Sequence, residues 1–220
     1  TSFFEKRWWM LGASRQAARL GIDVFHGTDF AVPYLPRCAS VMTLHDLSPW
    51  RENGVEGGAS SRVRTRTKAL LRMRVPTMIV TPSEAVRREA IELFSWPASR
   101  IVAIPLAPAS WLKSQLEIVD SSETPSSPYL LYVGTIEQRK NVSAIIEAWK
   151  LLPEGTARLI LAGRKRDDFP APAEVPGLEW RRAVTDDELA PLYANAAAVL
   201  YLSNYEGFGL PVLEAMRCGA

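Results

Sequence analysis

Two cysteines and two histidines in 220 residues leave little material for redox or metal chemistry. Cys38 and Cys218 stand far apart, and with only His26 and His45 beside them they form neither a disulfide framework nor a zinc-ligand spacing. A reducing cytoplasm is the simplest setting for such a chain. Long apolar runs are also missing: no stretch approaches the roughly 20 residues that span a bilayer. The opening Thr1-Ser2-Phe3-Phe4-Glu5-Lys6-Arg7-Trp8-Trp9 places charges inside an aromatic cluster, unlike a signal peptide. Excess charge of one sign is scarce as well. Lys plus Arg number 26 and Asp plus Glu 24, a net charge of +2, too small for a protein whose main partner is nucleic acid. No initiator methionine is present, and the sequence stops at Gly219-Ala220, a helix C-cap pattern with nothing after it. Both ends read as cuts in a longer chain.

What is present is a chain 47% hydrophobic and 23% charged, enough for one large or two modest domains with real cores. Strand and helix signals alternate along it, as in a parallel α/β sheet. Residues 22–26 and 39–44 read as short buried strands and residues 78–81 as a third. Ser83 is a good N-cap for a helix over 84–93, and residues 101–105 close this half. A Ser- and Pro-rich stretch follows, read as boundary and linker. Beyond it the spacing predicts a strand at 129–133, a loop at 134–141, a helix at 142–152, a strand at 158–162 ending in Gly163, a helix at 185–194 and a strand at 197–202. We assign residues 1–107 to a first unit, 108–128 to the linker and 129–220 to a second unit. No internal repeat is visible.

The densest signal is Glu206-Gly207-Phe208-Gly209-Leu210-Pro211-Val212-Leu213-Glu214, in which two carboxylates bracket a glycine-rich turn and a helix start. Gly207 and Gly209 suit backbone angles closed to other residues and let a ligand approach the main chain. Pro211 fits the first turn of a helix, whose free N–H groups and dipole favour an anion. With the helix beginning at Pro211, Glu214 falls in its first turn and Glu206 in the loop before it. The layout suits a ligand carrying both phosphate and sugar. A turn that merely starts a helix explains the glycines and the proline but not the two glutamates.

This segment, with Ser203-Asn204-Tyr205 before it and Ala215-Met216 after it, resembles the E-x7-E signature of the retaining glycosyltransferases of family 4. The resemblance implies the GT-B fold, two Rossmann-like parallel-sheet domains, both incomplete here, with an acceptor side first and a nucleotide-sugar side second. It implies a retaining, metal-independent glycosyltransferase that moves a hexose, mannose being the candidate, from a nucleoside diphosphate sugar to a saccharide or lipid-linked acceptor in glycan or polysaccharide biosynthesis. The sugar nucleotide is a co-substrate, and no cofactor or metal is implied. No Asp-x-Asp pair occurs in the strand-loop context that would hold a metal. Within the family, retention is attributed to front-face attack in which the departing phosphate takes the acceptor proton. A sugar-nucleotide epimerase or glycan phosphorylase of the same architecture, or a catalytically silent sugar-nucleotide-binding scaffold, are the alternative readings.

Four further sites bear on that reading. Gly134-Thr135-Ile136-Glu137-Gln138-Arg139-Lys140-Asn141 lies between a strand and a helix, where α/β proteins bind ligands. Exposed basic pairs are ordinarily just solvated. This position, and the resemblance to the family's Arg/Lys pair, assign Arg139 and Lys140 to the donor diphosphate, together with Gly134 and Thr135. Thr135 stands where the family often has an arginine, which points to a subgroup resembling bacterial mannosyltransferases. His45, in His45-Asp46-Leu47 at a strand end, is by itself an ordinary structural histidine. The resemblance makes it catalytic, facing the donor sugar, with Glu206 contacting the sugar at the reacting centre and Arg139 and Lys140 also catalytic. Glu214 is then the ribose ligand, and Gly207, Phe208, Gly209 and Leu210 complete the donor set. His26 is read as structural. Finally, Arg62, Arg64, Arg66, Lys68, Arg72 and Arg74 interleave with Val63, Leu70, Leu71 and Met73. A solvated helix face is the plain reading, and peripheral contact with anionic lipid on the inner face of the membrane is the functional one. Trp8 and Trp9 fit either a core or an interface.

Overall fold

Short β-branched and aliphatic runs punctuated by glycine, proline and capping residues become two parallel sheets in the computed structural model, which describes residues 8–51, 58–110, 112, 127–167, 169–172 and 174–220. The chain divides into two compact units, Thr1–Leu106 and Ala107–Ala220. Most of the expected linker, residues 111 and 113–126, lies outside the described residues, as do residues 1–7.

The first unit holds a four-stranded sheet of β1 (Val24–Gly27), β2 (Ala39–Thr43), β3 (Met78–Thr81) and β4 (Ile101–Ala103), all parallel and in that order. Among the described residues three α-helices accompany it: α1 (Ala13–Leu20), α2 (Gly58–Arg72) and α3 (Glu84–Phe94). Ser83 caps α3 as expected, its side chain accepting from the Val86 N–H. Met42, Leu44, Ile79 and Leu70 are fully buried, each contributing about 1.5–3 kcal/mol. One expectation needs correcting: β1 is not a buried strand. Among the described residues it pairs only with β2, and Val24 is 53% exposed. An apolar run reads the same at a sheet edge as at its centre.

The second unit holds β5 (Tyr129–Val133), β6 (Arg158–Ala162), β7 (Leu178–Arg181) and β8 (Ala198–Val199), with helices α4 (Val142–Lys150), α5 (Asp186–Ala194) and α6 (Leu210–Cys218). Its spatial order is β7-β6-β5-β8, again all parallel. Because side chains alternate across a strand, β5 feeds two cores. Tyr129 and Leu131 pack with Ile160, Leu192, Tyr193 and Ala215 on one face, and Tyr132 packs with Val142, Ile145, Leu159 and Leu161 on the other. Burial on both faces is what a parallel sheet requires. A reciprocal capping box at Thr185 and Glu188 opens α5.

The strand order positions the site. From β5 the chain winds outward through β6 to β7, then returns to place β8 on the opposite side of β5. The loops after β5 and β8 therefore leave the carboxyl edge side by side and in opposite winding directions, the switch point at which open α/β sheets bind ligands.

A glycine is structurally required at that edge. Gly163 has φ +142°, and a Cβ there would stand 2.2 Å from the Gly134 carbonyl oxygen. We expect Gly163→Ala to lose about 1–3 kcal/mol from backbone strain, with the clash adding to it and displacing Gly134. A denaturant midpoint equal to that of the parent protein would show that this close approach is not needed.

Candidate active site in the second unit

Arg139 and Lys140 occupy a short 3-10 turn, Gln138–Lys140, in the loop after β5. Asn141 ends that turn in the left-handed conformation, φ 54°, and α4 starts directly after it. The neighbouring loop after β8 is tied to this one by the main chain, Asn204 N–H donating to the Arg139 carbonyl at 2.9 Å. This brings Glu206 onto both cations. Arg139 Nη1 donates to Glu206 Oε2 at 2.9 Å, and Lys140 Nζ to Glu206 Oε1 at 2.5 Å.

Arg139 is held further by its own loop. Its Nη2 donates to Glu137 Oε1 at 2.8 Å and its Nη1 to the Tyr205 carbonyl at 2.9 Å. Glu137 is buried, and Arg166 Nη1 approaches its second oxygen at 3.7 Å. The Lys140 ammonium lies 5.6 Å from the centroid of the Tyr201 ring. Three cations and two carboxylates thus share one partly buried cluster, with an excess positive charge.

Electrostatics at Glu206 follow from this geometry. Burial pushes its carboxyl up, but hydrogen bonding from Lys140 and Ser203 and the charges of Lys140 and Arg139 outweigh that and hold it below the usual carboxylate range. Tyr201 responds in the opposite sense, raised by its own burial and by the Glu206 charge. Tyr201 Oη and Ser203 Oγ are buried beside this carboxylate without hydrogen bonds of good geometry. Glu214 is different. Burial raises it, Tyr193 Oη donating at 3.1 Å opposes the rise, and Asp186 adds to it.

The expected donor residues divide accordingly. Arg139, Lys140 and Glu206 are brought into direct contact, and Gly134 and Thr135 lie in the same loop, the Thr135 carbonyl accepting from Tyr132 Oη at 2.8 Å. Gly209 takes the left-handed conformation expected of it, φ 102°, as the residue before α6. Gly207 does not: it is buried and outside the positive-φ region, so the backbone freedom expected of it is not used. The helix begins at Leu210, one residue earlier than expected, with Pro211 in its first turn. Glu214 consequently falls in the second turn, against Tyr193. Phe208 is half-buried in the turn between them.

Glu137, Tyr201 and Ser203 were given no role by the sequence reading. Glu137 carried a signal, an acidic residue inside the same loop as the two cations, and Ser203 stood at the start of the signature run, whereas nothing marked Tyr201 before strand pairing fixed its place. Burial and then the Glu214 charge push the Cys218 thiol up to about 11, away from the thiolate form. Both cysteines are free. Among the described residues no three His, Cys, Asp or Glu side chains are placed to share a metal ion.

In the first unit His45 is exposed just beyond β2. Its Nε2 donates to the Thr28 carbonyl at 2.6 Å, and its ring meets Phe30 edge-on at 5.8 Å between centroids. One ring nitrogen is therefore committed to holding the imidazole in place. His26 bonds Thr43 Oγ1 at 2.8 Å, in keeping with a structural role. No helix among the described residues is long and apolar enough to cross a membrane.

Comparison with known proteins covers both units. Residues 2–107 match the family described as Glycosyltransferase Family 4, and residues 114–220 the family described as Glycosyl transferases group 1. O-antigen chain mannosyltransferase B of Escherichia coli is 37% identical over 216 residues, 89% of this chain and 55% of that protein. The chain thus spans little more than half the length of that curated relative. Among solved structures, HepE of Anabaena in complex with UDP and glucose superimposes with a TM-score of 0.67 at 15% identity, over 99% of this chain and 63% of its own. WaaG, a glycosyltransferase involved in lipopolysaccharide biosynthesis, gives a TM-score of 0.69 at 17% identity, over 94% and 60%. These likenesses identify the fold.

Proposed function

Since the chain belongs to glycosyltransferase family 4, of GT-B fold, we propose that the protein of which it is part is a retaining hexosyltransferase using a nucleoside diphosphate sugar, with mannose as the transferred sugar. The observation that carries this is the Arg139–Lys140–Glu206 cluster at the switch point of the second sheet. Negative charge builds on the departing nucleoside diphosphate as the sugar C1–O bond breaks, and preorganised cations at that place lower the barrier. Two fixed side-chain cations do the work that a divalent metal does elsewhere, so the reaction proceeds without one, and without any other cofactor.

In this reading the acceptor hydroxyl attacks C1 on the face from which the diphosphate leaves. The new C1–O bond forms as the old one breaks, and the acceptor proton passes to the departing phosphate oxygen. Arg139 and Lys140 hold the diphosphate, with Gly134, Thr135 and residues 207–210 lining the donor. Glu206 contacts the sugar while tethering both cations, and Glu214 binds the ribose. His45 contacts the transferred sugar. The HepE complex contains UDP and glucose, which supports a nucleotide-sugar donor here; the mannosyltransferase relative favours mannose and a saccharide or lipid-linked acceptor. The setting is cytoplasmic, with peripheral membrane contact through the basic face of α2.

The test is turnover of radiolabelled nucleoside diphosphate sugars by the full-length protein, with and without chelator. GDP-mannose is expected to support transfer at a rate the chelator leaves unchanged. Activity restored only by added magnesium or manganese would overturn the metal-free mechanism, and hydrolysis or epimerisation without transfer would overturn the transferase.

A further inference from the structure

Among the described residues four non-glycine positions have positive φ: Phe30, Arg74, Ser95 and Asn141. Three of them close a helix or a helical turn, where a left-handed residue is an ordinary cap. Ser95 ends α3, Asn141 ends the turn Gln138–Lys140, and the Arg74 N–H donates to the Leu71 carbonyl just past α2. Phe30, at φ 53°, lies between β1 and β2 with no helix to close. A bulky side chain is strained in this region, and such strain persists only where the surroundings over-determine it.

The surroundings of Phe30 do so. Its N–H donates at 3.1 Å to the carbonyl of Thr43, the last residue of β2, and its carbonyl accepts at 2.7 Å from the hydroxyl of Thr67 in α2. Thr67 is fully buried, as are Ala31 and Val32 directly after Phe30. The turn also folds back on its own start, where a Cβ on Gly27 would run into the Ala31 carbonyl.

The enforced conformation delivers an aromatic contact with His45. The two rings meet at 69° with centroids 5.8 Å apart. Phe30 packs on Trp50 as well, at 6.3 Å, and Trp50 is edge-on to Phe94 of α3 at 5.2 Å. Two residues earlier in the same turn, the Thr28 carbonyl accepts from His45 Nε2 at 2.6 Å. The turn thus grips the imidazole twice, at a nitrogen and on the ring. A carbonyl only accepts, so Nε2 carries the hydrogen and Nδ1 is the acceptor of the neutral ring. Exposed side chains ordinarily change rotamer within nanoseconds, and His45 is exposed. A strained backbone that fixes an exposed imidazole contributes little to a core and much to the geometry of a site.

We propose that Phe30 is a positioning residue for His45, holding its imidazole in one orientation and one tautomer. This deepens the glycosyltransferase reading, on which it rests for the contact of His45 with the transferred sugar. Phe30 acts through His45 and not on the substrate.

The test compares Phe30→Leu, Phe30→Gly and Phe30→Tyr in the full-length protein, each alone and combined with His45→Ala. Leucine keeps apolar bulk without a ring, and glycine relieves the left-handed strain, which separates loss of the ring from loss of the fold. Both are expected to lower kcat by about tenfold or more, the scale of a misplaced contact, with donor KM little changed. Phe30→Tyr is expected to restore most of that rate. In the His45→Ala background the same substitutions should have no further effect, because residues that act as one unit are non-additive. Where His45→Ala is itself impaired, unchanged kcat in the Phe30 variants, or losses that simply add to that of His45→Ala, overturn the proposal. Nitrogen-15 NMR of the His45 ring at about pH 9, above the ordinary imidazole range, is an arm that needs no turnover. The parent is expected to show the Nε2–H tautomer alone, and Phe30→Leu and Phe30→Gly a mixture of both tautomers. An unchanged tautomer in both variants overturns the proposal whatever the rates. Full activity in His45→Ala is a different failure: it removes His45 from the donor reading, and the ring NMR then decides alone whether Phe30 holds the imidazole.

Discussion

Lys140→Ala in the full-length enzyme is expected to lower kcat/KM by roughly 10²- to 10³-fold, the range seen when one preorganised stabiliser of a developing oxyanion is removed. The side chain is well placed for such an effect. Only 11% of it is exposed, and its ammonium is fixed by Glu206 and the Tyr201 face. Little reorganisation is then needed when the diphosphate arrives. Removing it also leaves Glu206 with Arg139 as its cation, so some loss reflects a carboxylate less well paired in a partly buried place. The two contributions separate by comparison with Lys140→Arg, which restores charge in a different geometry. Transient kinetics on the parent and both variants, with equilibrium binding of the nucleoside diphosphate alone, checks the expectation. Unchanged rate and unchanged diphosphate affinity in Lys140→Ala would remove this residue from the site.

The parts of this molecule that sequence made legible are those governed by local chemistry. Residues 78–81, 129–133 and 158–162 coincide with β3, β5 and β6, because short apolar runs bounded by polar, Gly or Pro residues are too short for a helix and suit a strand buried on both faces. Ser83, Gly209 and Gly219 fell where their backbone and capping chemistry required. The misses share another cause. β7, Leu178–Arg181, alternates charged and apolar residues at a sheet edge and reads like a surface loop, while α1, rich in alanine and arginine, has too few large apolar residues to announce a face. The expected strand at 197–202 shrinks to β8, Ala198–Val199. Its later residues leave the ladder to turn toward Arg139 and carry Tyr201 and Ser203 to Glu206.

The candidate site shows the same division. The chemistry of Glu206 and of the Arg139-Lys140 pair was legible as residue types at telling places. Their mutual contact was not, because it spans 66 residues and depends on β8 returning beside β5 rather than beyond β7. Sequence reading gave the cations to the diphosphate and the carboxylate to the sugar as separate roles. The structure joins them physically, so a change at one is felt by the other.

That coupling shapes the expected difference between the two glutamates. Glu206→Gln keeps size and removes the charge that holds Arg139 and Lys140 together. An amide offers a single acceptor oxygen, so one of the two bonds is lost and the other loses its anionic acceptor, and turnover is expected to drop by roughly ten- to a hundredfold, with a smaller change in donor affinity. Affinity is buffered because the freed cations gain attraction for the diphosphate as they lose their fixed orientation. Glu214→Gln is expected to act the other way. Glu214 meets Tyr193 in the second turn of α6, away from the ion pairs, and a contact equal in ground and transition states appears in binding. Donor affinity should fall by about tenfold with kcat nearly unchanged. Stability against pH supplies an independent reading. The folded Glu206 carboxyl sits below its ordinary value, so its contribution is fully present above the unfolded carboxylate range and is lost as the pH falls through its depressed folded value. Glu214, raised by burial, contributes in the opposite sense, its stability fully present below the unfolded range and declining as the pH rises through its folded value. Denaturant titrations between about pH 3 and 7 should therefore show the parent losing its advantage over Glu206→Gln on acidification, while its margin over Glu214→Gln widens. Parallel curves for parent and Glu206→Gln would mean that the ion pairs with Arg139 and Lys140 do not persist in solution, and the tether between cations and carboxylate would have to be abandoned.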